Sequence, residues 1–112
     1  MYGSATGGSA FGVYSNGRLG SSGTKSFMID HPLDPGNKFL YHYSTESPEV
    51  LNSYSGTVTL DENGQAWVEL PEYFESINID PRYQLTAIGA PAPMLHVASE
   101  IMNNEFLVSG GQ

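Results

Sequence analysis

Residues 56–70 read Gly-Thr-Val-Thr-Leu-Asp-Glu-Asn-Gly-Gln-Ala-Trp-Val-Glu-Leu, and their pattern decides the fold class. Val58 and Leu60 alternate with Thr57 and Thr59. After Asp61-Glu62-Asn63-Gly64, Ala66, Val68 and Leu70 alternate with Gln65, Trp67 and Glu69. Strict period two on both sides of an Asn-Gly turn predicts a β-hairpin, because successive strand side chains point to opposite faces. Val58, Leu60, Ala66, Val68 and Leu70 form the core face. Trp67 is then a large aromatic on the outer face, beside Thr57, Thr59 and Glu69.

Working outward, the flanks carry the same grammar. Residues 26–29 alternate and are stopped by Asp30-His31-Pro32, and residues 39–43 form a second, aromatic strand. Between them His31-Pro32-Leu33-Asp34-Pro35-Gly36-Asn37 is turn chemistry, with prolines fixing φ and Gly-Asn supplying positive φ. Residues 47–52 read as an irregular loop or one helical turn. Residues 71–77 (PEYFESI) form the one plausible helical turn, with proline first and acids early. Residues 82–88 read as a strand, and residues 95–108 as a second hairpin around Asn103-Asn104. Short strands with no long helix predict an all-β fold, a small antiparallel sandwich or prism-like knob.

Ahead of this body lies a different composition. Residues 1–25 contain seven glycines and few large side chains, too little apolar surface to offset their ordering entropy. Tyr2-Gly3, Phe11-Gly12 and Val13-Tyr14 give a loose glycine-aromatic rhythm, so the segment is either a flexible linker or the last turns of a repetitive stalk. The expected organisation is a stalk or linker over 1–25 and a β-rich knob over 26–112. The final Gly110-Gly111-Gln112 reads as leading towards a strand the chain lacks.

Bulk chemistry excludes several functions. Of 112 residues, twelve are acidic and only Arg18, Lys25, Lys38 and Arg82 are basic, for a formal charge of −8. That charge opposes nucleic-acid binding, which needs clustered cations, and adhesion to anionic membrane. No apolar run is long enough to insert in a bilayer, and the start shows no signal-peptide pattern. A knob of this size is marginal alone; with no cysteine for disulfides, oligomerisation is the remaining common means of support.

The run Ser-Phe-Met-Ile-Asp-His-Pro-Leu-Asp-Pro-Gly-Asn-Lys-Phe-Leu-Tyr-His, residues 26–42, resembles the opening of a C-terminal β domain in large bacterial surface proteins. Those proteins carry Gly-Val-Tyr repeats ahead of the domain, and related segments occur in tail-fibre-like phage proteins. Glu46-Ser47-Pro48, residues 58–75 and residues 83–89 extend the resemblance, and Gly12-Val13-Tyr14 is similar to the end of the repeats. The resemblance implies a homotrimeric knob ending a fibrous stalk, at a cell surface or on a virion. It implies no enzymatic activity and no catalytic residues or cofactor.

The residues themselves offer few reaction sites. His31 and His42 flank the proline-rich turn, near Asp30, Asp34 and Glu46, but their spacing is not that of a metal site. A turn imidazole bonded to backbone is the expected role. Glu69, Glu72 and Glu75 cluster in sequence, as chance allows in so acidic a chain, and no nucleophile elbow or phosphate loop occurs. The candidate contact residues are Trp67, Tyr41, Tyr43, Tyr54, Tyr73 and Glu69. They suit either a subunit interface, where aromatics concentrate, or a surface glycan stacked on an aromatic face beside polar groups. The alternative to the trimeric knob is therefore a monomeric carbohydrate-binding β-sandwich.

Overall fold

The computed structural model describes residues 4, 6–8, 11 and 13–111. Tyr2, Gly3 and Gly12 of the glycine-aromatic rhythm, and Gln112, lie outside them. The chain folds as a small all-β structure of two antiparallel sheets. Strands β1 (Ser26–Asp30) and β2 (Phe39–Tyr43) form a hairpin, with Ser26 opposite Tyr43 and Asp30 opposite Phe39. Strands β3 (Gln65–Glu69), β4 (His96–Met102) and β5 (Glu105–Ser109) form the second sheet, in the order β3-β5-β4. One short helix, α1 (Phe74–Ile77), sits between β3 and β4. The described residues before β1 form neither strand nor helix, and residues 13–25 are exposed throughout.

The β4–β5 connection follows its chemistry closely. A two-residue turn between twisted antiparallel strands needs positive φ at both positions, which asparagine tolerates. Asn103 and Asn104 adopt φ of 55° and 59°. Turn 61–64 is equally regular: Asp61 Oδ1 accepts the Asn63 and Gln65 N–H groups, both at 2.9 Å, and Gly64 takes φ 71°.

Two expected strands differ. Residues 56–60 make the closing bond of their turn, Asp61 N–H to Gln65 O at 2.8 Å, but do not continue as a ladder beside β3. Instead β5 pairs with β3, and Leu60 is drawn against Gly111 beyond the end of β5. Residues 82–88 also join no ladder. They contribute Tyr83, whose ring meets Phe106 at 5.1 Å and whose hydroxyl accepts the Ile101 N–H at 3.0 Å. Register shifts in β4 between Val97 and Ser99, and between Ser99 and Met102, bend this edge strand and break its regular pairing surface.

The C-terminal glycines are sewn in tightly. Gly110 N–H donates to Gly64 O at 2.9 Å, and Gly111 N–H to Pro93 O at 2.8 Å. Gly110 has φ 146°, and a Cβ there would lie 2.5 Å from Leu95 Cα. Only glycine fits this crossing.

The core is small. Leu40, Phe74, Phe106 and Val108 are the buried hydrophobic side chains, whereas fifteen large ones from residue 26 onward are exposed. The accessible surface is 9478 Å², against roughly 6,000 Å² for a compact protein of 12.1 kDa. The radius of gyration, 18.9 Å, likewise exceeds the roughly 13 Å of a compact domain this long.

Candidate functional site

The structure divides the six candidate contact residues among three places. Tyr54 and Tyr73 face inward, into a cluster beneath the β1–β2 hairpin. Phe27 stacks on His42 with centroids 5.3 Å apart and planes 6° apart. His42 meets Tyr54 and Tyr73 edge-on, at 6.0 and 6.1 Å, and Tyr54 meets Phe74 at 5.0 Å. His31 meets Tyr73 at 5.6 Å and 90°. The two turn-flanking histidines thus converge on one phenol ring rather than on a carboxylate.

Polar groups tie this cluster together. Asn78 Nδ2 donates to the Tyr54 oxygen at 3.2 Å and to Phe74 O at 2.8 Å, and Asn52 Nδ2 donates to Asn78 Oδ1 at 2.9 Å. With its oxygen already accepting, the Tyr54 hydroxyl is free to give its proton to His42 Nε2, 3.0 Å away. His42 Nδ1 is buried and has no partner, a cost the surrounding ring contacts must offset. Burial, and then the neighbouring Tyr54, push the Tyr73 phenol above its ordinary value. The arrangement is that of a packed joint, in which one hydroxyl–imidazole bond, Tyr54 to His42, sits among edge-on ring contacts.

Tyr41 and Tyr43 lie on the opposite, outer face of the same hairpin. Met28 stands directly across from Tyr41, Ser26 across from Tyr43 and Asp30 across from Phe39; the exposed large side chains of the face are Met28, Phe39, Tyr41 and Tyr43. These four side chains are 51–66% exposed. At the hairpin base the Lys25 ammonium holds Glu46 at 2.6 Å, and that hydrogen bond, then its charge, lowers the Glu46 carboxyl.

Trp67 and Glu69 occupy the third place, the outer face of the three-stranded sheet. The rows across that face run Gln65–Ser109–His96, Trp67–Leu107–Ser99 and Glu69–Glu105–Met102. Trp67 is 55% exposed and lies between a polar row and an acidic one. The expected hairpin partners Thr57 and Thr59 do not flank it through a ladder.

The remaining polar clusters are committed to structure. Glu69 and Glu72 border one depression with Asn103, Asn104 and Glu105, but Glu75 Oε2 accepts the Asn104 N–H at 3.1 Å. An open groove of about 540 Å³ lies between Asp80, Tyr83 and Glu100, and its Arg82 is held by Glu49 at 2.7 Å. His31 Nδ1 accepts the Leu33 N–H at 3.2 Å, the expected backbone role, and His96 Nδ1 pairs with Met94 O at 2.6 Å. Among the described residues no three histidine or acidic side chains are placed to hold a metal ion.

Asn104 is the residue that sequence reasoning missed. Its Oδ1 accepts the Glu75 N–H at 2.9 Å, capping α1 from a distant strand turn, and its Nδ2 donates to Glu72 O at 3.0 Å. Its carbonyl accepts the Leu70 N–H at 2.8 Å. The Asn-Asn turn was legible; the side chain's reach of some thirty residues was not.

Comparison with known proteins finds no family model, curated protein or solved structure that matches this chain.

Proposed function

We propose that this chain is a non-enzymatic assembly module, an all-β knob that ends a glycine-rich stalk and completes its core against other copies of itself. The observation that carries this reading is the imbalance of burial. Four hydrophobic side chains are buried and fifteen large ones on the body are exposed. Exposed aromatic and aliphatic side chains in that number suit a subunit interface, where such residues concentrate. The polar clusters support the same view, since Asp61, Glu75, Asn78 and Asn104 spend side-chain groups on turns, a cap and the aromatic joint.

The number of copies, three, and the setting come from the resemblance of residues 26–42 alone. On that resemblance the knob belongs to a surface or tail-fibre-like adhesin, working outside the cell or on a virion. Residues 1–25 then owe their glycines to close approach of neighbouring chains at the stalk.

Light scattering on the full chain tests this. A homotrimer has three times the 12.1 kDa chain mass. A cooperatively folding 12.1 kDa monomer overturns assembly and leaves the carbohydrate-binding module as the surviving reading. What favours that second reading is the half-exposed Trp67 ring beside Gln65 and Glu69, a flat aromatic next to hydrogen-bonding groups.

A further inference from the structure

We propose that Asn16–Gly17 is a site of spontaneous covalent modification, where the Asn16 side-chain amide leaves as ammonia and aspartate or isoaspartate takes its place. The same dipeptide at Asn63–Gly64 is kept unreactive by its turn. The chain carries seven asparagines, and only these two precede glycine. That neighbour matters because the nucleophile is the backbone nitrogen of the following residue. Glycine has no side chain to shield the nitrogen, and its wide backbone range lets the nitrogen swing onto the asparagine Cγ.

The chemistry needs only water. The glycine nitrogen gives up its proton to solvent base and bonds to the asparagine Cγ. The Cγ–Nδ2 bond breaks, the amide leaves as ammonia with a proton from water, and a five-membered cyclic imide remains. Water then opens the imide at either carbonyl. One opening gives aspartate; the other routes the main chain through Cγ as isoaspartate. One water is consumed and one ammonia released, nothing is oxidised or reduced, and each event adds one negative charge.

What separates the two sites is the state of the glycine nitrogen. Asn16 and Gly17 are exposed, lie in neither strand nor helix, and make no hydrogen bond among the described residues. The space beside Gly17 is open, with no other part of the chain within 4 Å of where a Cβ would stand. Gly64 is the opposite case. It is buried, its N–H donates to Asp61 O at 3.0 Å, and its carbonyl accepts the Gly110 N–H at 2.9 Å. Asn63 is tied as well, its N–H donating to Asp61 Oδ1 at 2.9 Å. To reach Asn63 Cγ, the Gly64 nitrogen must lose a proton that is already engaged and turn out of a peptide bonded on both sides. Reaction at 63 is therefore confined to moments when the turn opens, and its rate is scaled down by that opening equilibrium. An isoaspartate there would lengthen the main chain of the turn by one carbon and displace the carbonyl that holds Gly110.

The test holds the full chain in warm, mildly alkaline buffer, with a second sample in urea, and follows conversion at each site by tandem mass spectrometry of its peptides. In the folded chain Asn16 is expected to convert at least about tenfold faster than Asn63, the factor that a modest opening cost imposes. In urea the turn is gone, and Asn63 is expected to come within about threefold of Asn16. Asn16→Gln is expected to abolish the fast acidic species on isoelectric focusing. Asn63 keeping pace with Asn16 in the folded chain overturns the protection assigned to the turn. A tenfold gap that persists in urea overturns it too, because flanking residues would then set the rates. Asn16 staying intact in buffer while reacting in urea overturns the assigned site and shows the head to be covered.

Discussion

The β1–β2 hairpin and the β3-β5-β4 sheet are both antiparallel, yet different chemistry ties each to the rest of the chain. The sheet is fastened by directional bonds. Gly110 and Gly111 bond back to Gly64 and Pro93, Leu70 bonds to Asn104, and the Asn104 side chain caps α1. The hairpin, by contrast, makes no backbone hydrogen bond to residues beyond 46 among the described ones. Ring contacts to Tyr54 and Tyr73 and the His42–Tyr54 bond hold it. Directional bonds specify one geometry; ring packing tolerates small shifts. The sheet is therefore the directionally bonded frame, and the hairpin is attached to it by ring packing.

The largest expected effect tests the frame. Gly110→Ala forces a side chain into positive φ and puts its Cβ 2.5 Å from Leu95 Cα, a contact that backbone must relieve. Strain and overpacking together are expected to cost roughly 3–5 kcal/mol, a large fraction of a small domain's stability. Urea denaturation of both chains measures it. A variant with an unchanged midpoint would mean that the terminal glycines are not part of the frame.

Asn104→Ala comes next. It removes the cap on Glu75 N–H and the bond to Glu72 O, and it places alanine at φ 59°. A lost cap costs about 1 kcal/mol and positive φ adds about as much, so roughly 2 kcal/mol is expected. Asn104→Gly keeps the backbone and loses only the side chain, so it should fall midway between the two. If both variants lose the same amount, the side-chain bonds carry the whole effect and the turn geometry none.

These two residues also mark what the sequence could disclose. Strands β1, β2, β3 and β5 and the Asn103-Asn104 turn were legible because period two and turn residues are local signals. The hairpin expected over 56–70 was half legible. Its turn formed, but β5, some forty residues away, took the pairing with β3, and local pattern cannot register such competition. Residues 82–88 had a strand's alternation and no partner, because Tyr83 packs on Phe106 without a ladder. The six candidate residues were named as one pool, whereas the structure places them in three. Separating Tyr54 and Tyr73 from Tyr41 and Tyr43 requires knowing that His42, on the other face of β2, meets the first pair.

The smallest effect probes the hairpin's attachment through pH. Burial, and then Tyr54, raise the Tyr73 phenol above its ordinary value in the folded chain. Below about pH 10 the phenol is neutral folded and unfolded, so its contribution is fully present. As pH rises through the unfolded value, the unfolded chain ionises first and binds fewer protons than the folded one. Stability is therefore lost with rising pH until the folded phenol ionises as well. Wild type is expected to lose more stability than Tyr73→Phe between pH 9 and roughly pH 11, as read by urea midpoints at each pH. The two chains differ at this one ring, so the difference between the two slopes isolates Tyr73. Equal slopes would mean that the ring shared by His31 and His42 stays open to water, and that the hairpin is attached more loosely than its ring contacts imply.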